Sequence, residues 1–162
     1  MLDSVTTTDA HLTELASHLI VAGGKRLRPV LTVIAGSVDG RAVTDDVVLG
    51  GVSCELVHLG SLYHDDVMDE SETRRGVETV NARWGNLQAI LAGDFLLARA
   101  SEIAAGLGTE VAGLLARTIG WLCEGQIEEL RHTYDVARSE ESYLTSIHGK
   151  TASLYGTAAR VG

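Results

Sequence analysis

The residues best suited to chemistry form a short acidic segment that two arginines follow. Asp65, Asp66 and Asp69 stand within five positions of one another, and Arg74 and Arg75 come soon after them. In a helix, positions 65 and 69 lie on one face a turn apart, so their carboxylates can converge on the same ion. Mg²⁺ binds a few carboxylates together with phosphate oxygens and water, and a guanidinium group binds phosphate through paired hydrogen bonds. The pattern therefore predicts a site for a diphosphate held partly through Mg²⁺.

The alternative interpretation is a solvated acidic helix end followed by ordinary surface charge. Three features count against it: the acids continue an apolar helix, His64 precedes them, and the arginines follow on a loop that can fold back over them. His58 lies two turns, about 10 Å, before Asp65 on the same helix face. A lone histidine in an apolar helix is more often a core residue than a ligand, but its alignment with the acids favours a role in the site.

A second basic segment lies near the N-terminus. Residues 23–29 read Gly-Gly-Lys-Arg-Leu-Arg-Pro, which puts Lys25, Arg26 and Arg28 in a glycine-rich turn before a helix. A helix N-terminus favours anions because its first backbone N–H groups are free. The alternative is surface charge after a helix ends. Weaker signals come from Lys150-Thr151, which lacks the glycines of a Walker loop, and from Gln126 and Glu129 at helical spacing.

Composition limits the possible functions. The 162 residues are enough for one domain with a core, and the net charge of -9 excludes general nucleic-acid binding. No apolar run approaches the roughly 18 residues of a membrane span, so no membrane anchor is expected. The polar N-terminus predicts no signal peptide. Cys54 and Cys123 lie in apolar helical stretches, which predicts reduced, buried thiols in a cytoplasmic protein. A disulfide or a metal pair is the alternative.

Hydrophobic periodicity predicts helices only, and the fold class is all-α. The long helix that ends at the acids is apolar nearly all round, which indicates a central, buried position. Residues 71–80 read as a charged loop. The predicted helices cover Asp9–Ala22, Pro29–Gly36, Thr44–Asp69, Asn81–Ala105, Thr109–His132 and Ser139–Gly162.

Taken in order, these segments resemble the trans-isoprenyl diphosphate synthases, the all-trans polyprenyl synthetase family. The resemblance is carried by residues 23–29, Glu55-Leu-Val-His58, residues 65–75 and Gly149-Lys150-Thr151. It implies a helical bundle of the isoprenoid synthase type around a central cavity. It also implies a prenyltransferase that condenses isopentenyl diphosphate with an allylic diphosphate, using Mg²⁺, to give an all-trans polyprenyl diphosphate. The family's usual state is a homodimer.

The resemblance also implies a role for each matching residue. Isopentenyl diphosphate would be held by Lys25, Arg28, His58 and Arg75. The first aspartate-rich motif is Asp65, Asp66 and Asp69, of which Asp65 and Asp69 would bind Mg²⁺ directly. The allylic diphosphate would be bound by Arg74 and Lys150, next to Thr151. Gln126 and Glu129 match supporting positions near the reacting allyl group.

One departure from the family is large. No second Asp-Asp-x-x-Asp cluster follows before Gly162, so residues 1–162 read as the N-terminal portion of a single polyprenyl synthetase domain. We expect this chain alone to have little or no synthase activity. The first alternative is a non-catalytic or degenerate subunit of another synthase, against which the intact acids and arginines count. The second is a class I terpene cyclase, which has no need for residues 23–29 or Arg75.

The length of the product depends on the residues one turn deeper than the acids. Gly60 and Ser61 precede Asp65 by five and four positions, and both are small. A bulky aromatic there would block a growing prenyl chain, so small residues predict a product of geranylgeranyl length or longer. The alternative is that a side chain of another helix, such as Leu91 or Phe95, sets the limit.

Overall fold

Helices follow one another along nearly the whole chain in the computed structural model, which describes residues 1–162. The nine α-helices are α1 (Leu2–Val5), α2 (Ala10–Val21), α3 (Leu27–Gly36), α4 (Asp45–Met68), α5 (Val80–Trp84), α6 (Asn86–Leu107), α7 (Thr109–Arg131), α8 (Glu140–Ile147) and α9 (Ser153–Val161). A 3₁₀ turn covers Val38–Gly40, and a π-helical segment, His148–Ala152, joins α8 to α9. The prediction of an all-α fold is confirmed. No helix is long and apolar enough to cross a membrane.

Helix α4 is the central element, as its apolar sequence predicted. Thr44 caps its N-terminus by accepting a hydrogen bond from the Val47 N–H at 3.3 Å, which satisfies one of the free donors of the first turn. Half of its residues are buried, and six of these belong to a hydrophobic core that also includes residues of α2, α6, α7 and α9: Val52, Cys54, Leu56, Val57, Leu59 and Tyr63. The acidic segment is therefore the end of a helix that the core holds on several sides.

Two glycines let α4 and α6 pack with their backbones close together. A Cβ atom on Gly60 would lie 3.0 Å from the Gly93 carbonyl oxygen, and one on Gly93 would lie 2.4 Å from His64 Nε2. A Cβ at either position would force the helices or His64 to shift. Gly60 thus faces α6, which corrects the expectation that it lies in the cavity beside Ser61.

The predicted helices differ from the observed ones mainly where glycine or loop geometry intervenes. The segment predicted as one helix over 81–105 is divided at Gly85, whose φ of +92° a helix cannot contain. The charged loop over 71–80 holds a small antiparallel pair of strands, Thr73–Arg74 and Val77–Glu78. The expectation of helices only is wrong there, because Arg75 and Gly76 both have positive φ and close a hairpin turn.

The last predicted helix, 139–162, is three segments instead of one. Ser139 caps α8 by accepting a hydrogen bond from the Ser142 N–H at 3.2 Å. The π-helical segment then interrupts the α-helical pattern at His148–Ala152. Hydrophobic periodicity did not reveal this segment, because five residues are too few to show a change of period within a stretch that is helical on both sides.

Candidate active site

A cavity of about 260 Å³ lies beside the C-terminal half of α4. Its walls come from α3, α4, α7 and the π-helical segment. The predicted site residues that line it are Arg28, His58, Asp65, Gln126, Lys150 and Thr151. Ser61 also lines it, as expected, whereas Gly60, Leu91 and Phe95 do not. The fold thus brings together residues that are up to 123 positions apart in the sequence, from 28 to 151.

A smaller pocket of about 180 Å³ adjoins this cavity. All four residues assigned to isopentenyl diphosphate by the resemblance line it, namely Lys25, Arg28, His58 and Arg75. We call this smaller space the cationic pocket, and we call the larger one, which Asp65 lines, the acidic cavity. Arg28 and His58 line both, so the two spaces share a wall. Four further residues, to which the sequence assigned no role, also line the pocket: Arg26, Leu27, Glu55 and Tyr155.

The arginines of the cationic pocket are held in different ways. Arg26, which has a left-handed φ of +51°, donates to Glu55 Oε1 at 2.8 Å and to the Ile20 carbonyl oxygen at 2.7 Å. Arg75 donates to the carbonyl oxygens of Leu19, at 3.0 Å, and Gly23. The end of α2 therefore fixes two guanidinium groups beside the pocket.

Arg28 is the most buried of these cations. Its exposed fraction is 8%, and its buried Nε has no hydrogen-bond partner. Burial lowers the pKa of Arg28. Burial also lowers the pKa of Arg75, and the positive charge of the nearby Arg26 lowers it further. A buried, unpaired positive charge is unfavourable, and a bound anion would relieve that penalty. The pocket is therefore a candidate site for a diphosphate.

His58 is neutral in this environment. Burial, followed by the charges of Arg28, Arg75, Arg74 and Arg26, lowers the pKa of His58 to about 3. A neutral imidazole still carries one N–H donor, which suits a neighbour of phosphate oxygens. His58 lines both spaces and is not part of the hydrophobic core, which argues against the alternative that it is only a core residue.

The three aspartates differ in their surroundings. Asp66 is buried, and its Oδ1 accepts a hydrogen bond from Arg74 Nε at 2.6 Å. No three His, Cys, Asp or Glu side chains are gathered closely enough to form a metal site by themselves. Asp66 does not line the cavity that Asp65 lines, because its carboxylate is turned to the other side of the helix end, where Arg74 binds it. Arg74, expected to bind the allylic diphosphate, is paired with Asp66.

Asp65 and Asp69 remain as the candidate Mg²⁺ ligands. Asp65 lines the cavity. Burial raises the pKa of Asp65, and the positive charge of Lys150 opposes this increase. The Asp65 carboxylate makes no ion pair or hydrogen bond with the protein, and Asp69 is exposed beside it. Two carboxylates a turn apart fit Mg²⁺, because this ion usually keeps several waters and takes its other ligands from substrate phosphate.

Lys150 lies across the cavity from α4, on the π-helical segment. Its Nζ donates a hydrogen bond to Glu129 Oε2 at 2.7 Å. Both residues were singled out from the sequence, and they are in direct contact although 21 positions separate them. Gln126 has a buried Oε1 without a hydrogen-bond partner.

The two cysteines differ in exposure, and both thiols are free. Cys54 is buried, as predicted, but Cys123 is exposed and lines the cavity from α7, so the prediction that it is buried is wrong. Periodicity alone could not reveal that this face of α7 borders a cavity.

The loop after α4 carries the two arginines back over the helix end. Asn81 Nδ2 donates to the carbonyl oxygens of Asp66, at 3.2 Å, and Ser71, at 3.0 Å. Thr79 Oγ1 donates to the Ser71 carbonyl oxygen at 2.7 Å. These contacts close the hairpin, so that Arg74 reaches Asp66 and Arg75 reaches the end of α2. The sequence indicated that the loop could fold back, but not that Arg74 would pair with an aspartate.

Comparison with known proteins agrees with this arrangement. The family profile described as "Polyprenyl synthetase" matches residues 9–162. The chain belongs to the polyprenyl synthetase family. The nonaprenyl diphosphate synthase of Mycobacterium tuberculosis is 45% identical over 154 residues, which are 95% of this chain and 46% of that protein. The heptaprenyl diphosphate synthase component 2 of Geobacillus stearothermophilus is 40% identical, over 93% of this chain and 47% of that protein.

Solved structures of the family share the fold. The polyprenyl synthase of Caulobacter crescentus CB15, complexed with calcium and isoprenyl diphosphate, superimposes with a TM-score of 0.94 at 38% identity. The match covers 99% of this chain and 49% of that one. The helical bundle of the isoprenoid synthase type, expected from the resemblance, is therefore confirmed. The chain spans about half the length of the curated relatives it matches.

Proposed function

We propose that this chain supplies part of the active site of a prenyltransferase, which condenses isopentenyl diphosphate with an allylic diphosphate to give an all-trans polyprenyl diphosphate. One observation carries the proposal: a cationic pocket and an acidic cavity adjoin, and Arg28 and His58 line both. A reaction between two diphosphates needs two neighbouring anion sites, one of which promotes the loss of diphosphate. The family membership supports the same assignment.

In this proposal the cationic pocket holds isopentenyl diphosphate. Lys25, Arg28 and Arg75 provide charge, and neutral His58 provides a hydrogen-bond donor. The pocket contains no free carboxylate pair for a metal ion: its one acid, Glu55, is bound to Arg26 at 2.8 Å. The diphosphate would therefore be recognised by side chains directly, which fixes the substrate beside the reacting carbon of its partner.

The acidic cavity binds the allylic diphosphate. Asp65 and Asp69 would hold Mg²⁺, which when bound neutralises the charge that develops on the departing diphosphate. Lys150 adds a fixed positive charge to the same space, and Gln126 and Thr151 border it. The apolar side chains of Leu62 and Leu122 help to exclude water, which would otherwise react with an allylic cation. The presence of calcium and isoprenyl diphosphate in the Caulobacter complex supports the use of a divalent cation.

We propose further that residues 1–162 are the N-terminal portion of a single polyprenyl synthetase domain. Their coverage of about half of each relative supports this. Asp65 and Asp69 make only part of a metal site, so the remaining carboxylates would come from the C-terminal half with the second aspartate-rich motif. For that reason the 162 residues by themselves should show little or no turnover. The complete enzyme is proposed to be a cytoplasmic homodimer.

The proposed product has geranylgeranyl length or more. Ser61 lines the acidic cavity and its small side chain leaves room for a prenyl chain. The names of the relatives, nonaprenyl and heptaprenyl diphosphate synthase, support a long product.

The test is a condensation assay with the full-length protein, Mg²⁺, labelled isopentenyl diphosphate and an allylic diphosphate. The expected result is incorporation of label into an acid-labile prenyl diphosphate only when both substrates are present. Release of a cyclic hydrocarbon from the allylic diphosphate alone would favour a terpene cyclase instead. Activity that appears only after addition of a second synthase subunit would favour the non-catalytic alternative. The mass of the protein in solution tests the homodimer separately.

A further inference from the structure

Tyr155 lies at the cationic pocket, although no sequence motif drew attention to it. It stands on α9, five positions after Lys150, and its side chain lines the pocket together with Arg28. The Arg28 guanidinium lies over the Tyr155 ring, with Cζ 4.5 Å from the ring centroid. This distance is within the range of a favourable cation–π contact.

The contact matters because Arg28 is held differently from its neighbours. Arg26 and Arg75 donate hydrogen bonds to the carbonyl oxygens of Ile20 and Leu19, at 2.7 and 3.0 Å. Arg28 is 8% exposed, and its buried Nε has no partner in the protein. The ring of Tyr155 is therefore the specific contact that orients the Arg28 guanidinium.

We propose that Tyr155 is a positioning residue for the diphosphate of the cationic pocket, which it influences through Arg28. An aromatic ring on the face of a guanidinium leaves the in-plane N–H donors free for phosphate oxygens. The ring thus holds Arg28 ready for an anion without using its donors. This inference rests on the proposed function, in which the pocket binds isopentenyl diphosphate.

One continuous helical stretch contributes residues to both anion sites. Helix α9 continues from the π-helical segment that carries Lys150 and Thr151 into the acidic cavity. Tyr155, farther along this continuous stretch, reaches the cationic pocket. Arg28 borders both spaces, so a shift of its guanidinium group would change the position of its positive charge relative to each of them.

The experiment measures binding of isopentenyl diphosphate to the full-length protein without metal, by calorimetry. Tyr155→Leu is expected to weaken binding about tenfold, because the desolvated cation–π contact is lost. Tyr155→Phe keeps the ring and should bind within about twofold of the unsubstituted protein. Tyr155→Met, which keeps more volume, should show the same loss as Tyr155→Leu and serves if the latter does not fold. Tyr143→Leu is the matched control, since Tyr143 also lies near an arginine, Arg138, but outside the pocket.

A double-mutant cycle distinguishes positioning from a general structural role. In an Arg28→Met background, Tyr155→Leu should change the affinity by less than about twofold, because its effect passes through Arg28. An equal tenfold loss in that background, unchanged binding by Tyr155→Leu, or a loss by Tyr155→Phe as large as that by Tyr155→Leu would each overturn the proposal. If the unsubstituted protein does not bind isopentenyl diphosphate, the proposed function fails and this inference fails with it.

Discussion

Gly125 of α7 and Gly149 of the π-helical segment are in backbone contact. A Cβ on Gly149 would lie 3.0 Å from the Gly125 Cα and 2.8 Å from the Trp121 carbonyl oxygen. Only glycine at both positions permits this approach. It brings the π-helical segment against α7, where Lys150 donates a hydrogen bond to Glu129 and lines the same cavity as Asp65.

We expect Gly125→Ala to disturb this contact. The new Cβ would lie 2.4 Å from the Lys150 backbone nitrogen and 2.7 Å from the Ser146 carbonyl oxygen. Neither atom is on a flexible side chain, so the substitution should lower the free energy of unfolding by about 1–3 kcal/mol. Gly120→Ala on the same helix is the control: its Cβ meets no atom within 4 Å, and alanine should stabilise the helix by up to ~1 kcal/mol. Urea unfolding measures both, and equal effects would contradict the prediction.

Neighbouring aspartates should respond differently to the same substitution. Asp66→Asn removes the charge that Arg74 contacts at 2.6 Å in a buried position, and should cost about 1–3 kcal/mol of unfolding free energy. Burial raises the pKa of both carboxyl groups, but only Asp66 has a direct hydrogen bond to an arginine that opposes this effect. Asp65→Asn should therefore be neutral or slightly stabilising in metal-free solution, because the Asp65 carboxylate has no such partner. Urea unfolding at neutral pH with a chelator checks this pair. A larger loss for Asp65→Asn than for Asp66→Asn would show that the two roles are reversed.

His58 should make stability depend on pH. Its pKa is about 3 in the folded protein, whereas an unfolded histidine titrates near 6.5. As the pH falls below about 6.5, the unfolded chain takes up a proton that the folded chain excludes, and stability is lost down to about pH 3. His58→Gln removes this contribution and should reduce the loss between pH 7 and pH 4.5 by on the order of 2 kcal/mol. Protonation of carboxylates is common to both proteins and cancels in the comparison.

Urea midpoints measured across this pH range give the result for His58. His11→Gln is the control, because His11 lies on the surface with its side chain about half exposed. Parallel curves for His58→Gln and the unsubstituted protein would mean that the imidazole is accessible to protons in the folded state.

Ser61→Phe should shorten the product of the full-length enzyme. Ser61 lines the acidic cavity of about 260 Å³, and a phenyl ring there would occupy space that a growing prenyl chain needs. Chromatography of the dephosphorylated products would show a shift to shorter chains while the first condensation continues. Leu91→Phe is the control, because Leu91 is 64% exposed and does not line the cavity. An unchanged product from Ser61→Phe would mean that another side chain sets the length.

The sequence by itself determined the helices and most of the residues of the candidate site. Apolar spacing predicted a helix that begins at Thr44, and in the structure Thr44 is the N-cap of α4. The carboxylates at 65 and 69 share a face because of helix geometry alone. The basic residues of 23–29 and the arginine pair were recognisable because they occur in order with the acidic segment, as in the polyprenyl synthetase family.

Only the tertiary structure decided which face of each helix borders the cavity. The helical period places Gly60 and Ser61 next to each other, but contact with Gly93 turns Gly60 toward α6 and leaves Ser61 in the cavity. The pairing of Asp66 with Arg74 and the stacking of Arg28 on Tyr155 join residues 8 and 127 positions apart. Such contacts depend on how helices pack, because packing fixes where side chains meet, and local spacing specifies only which residues share a face.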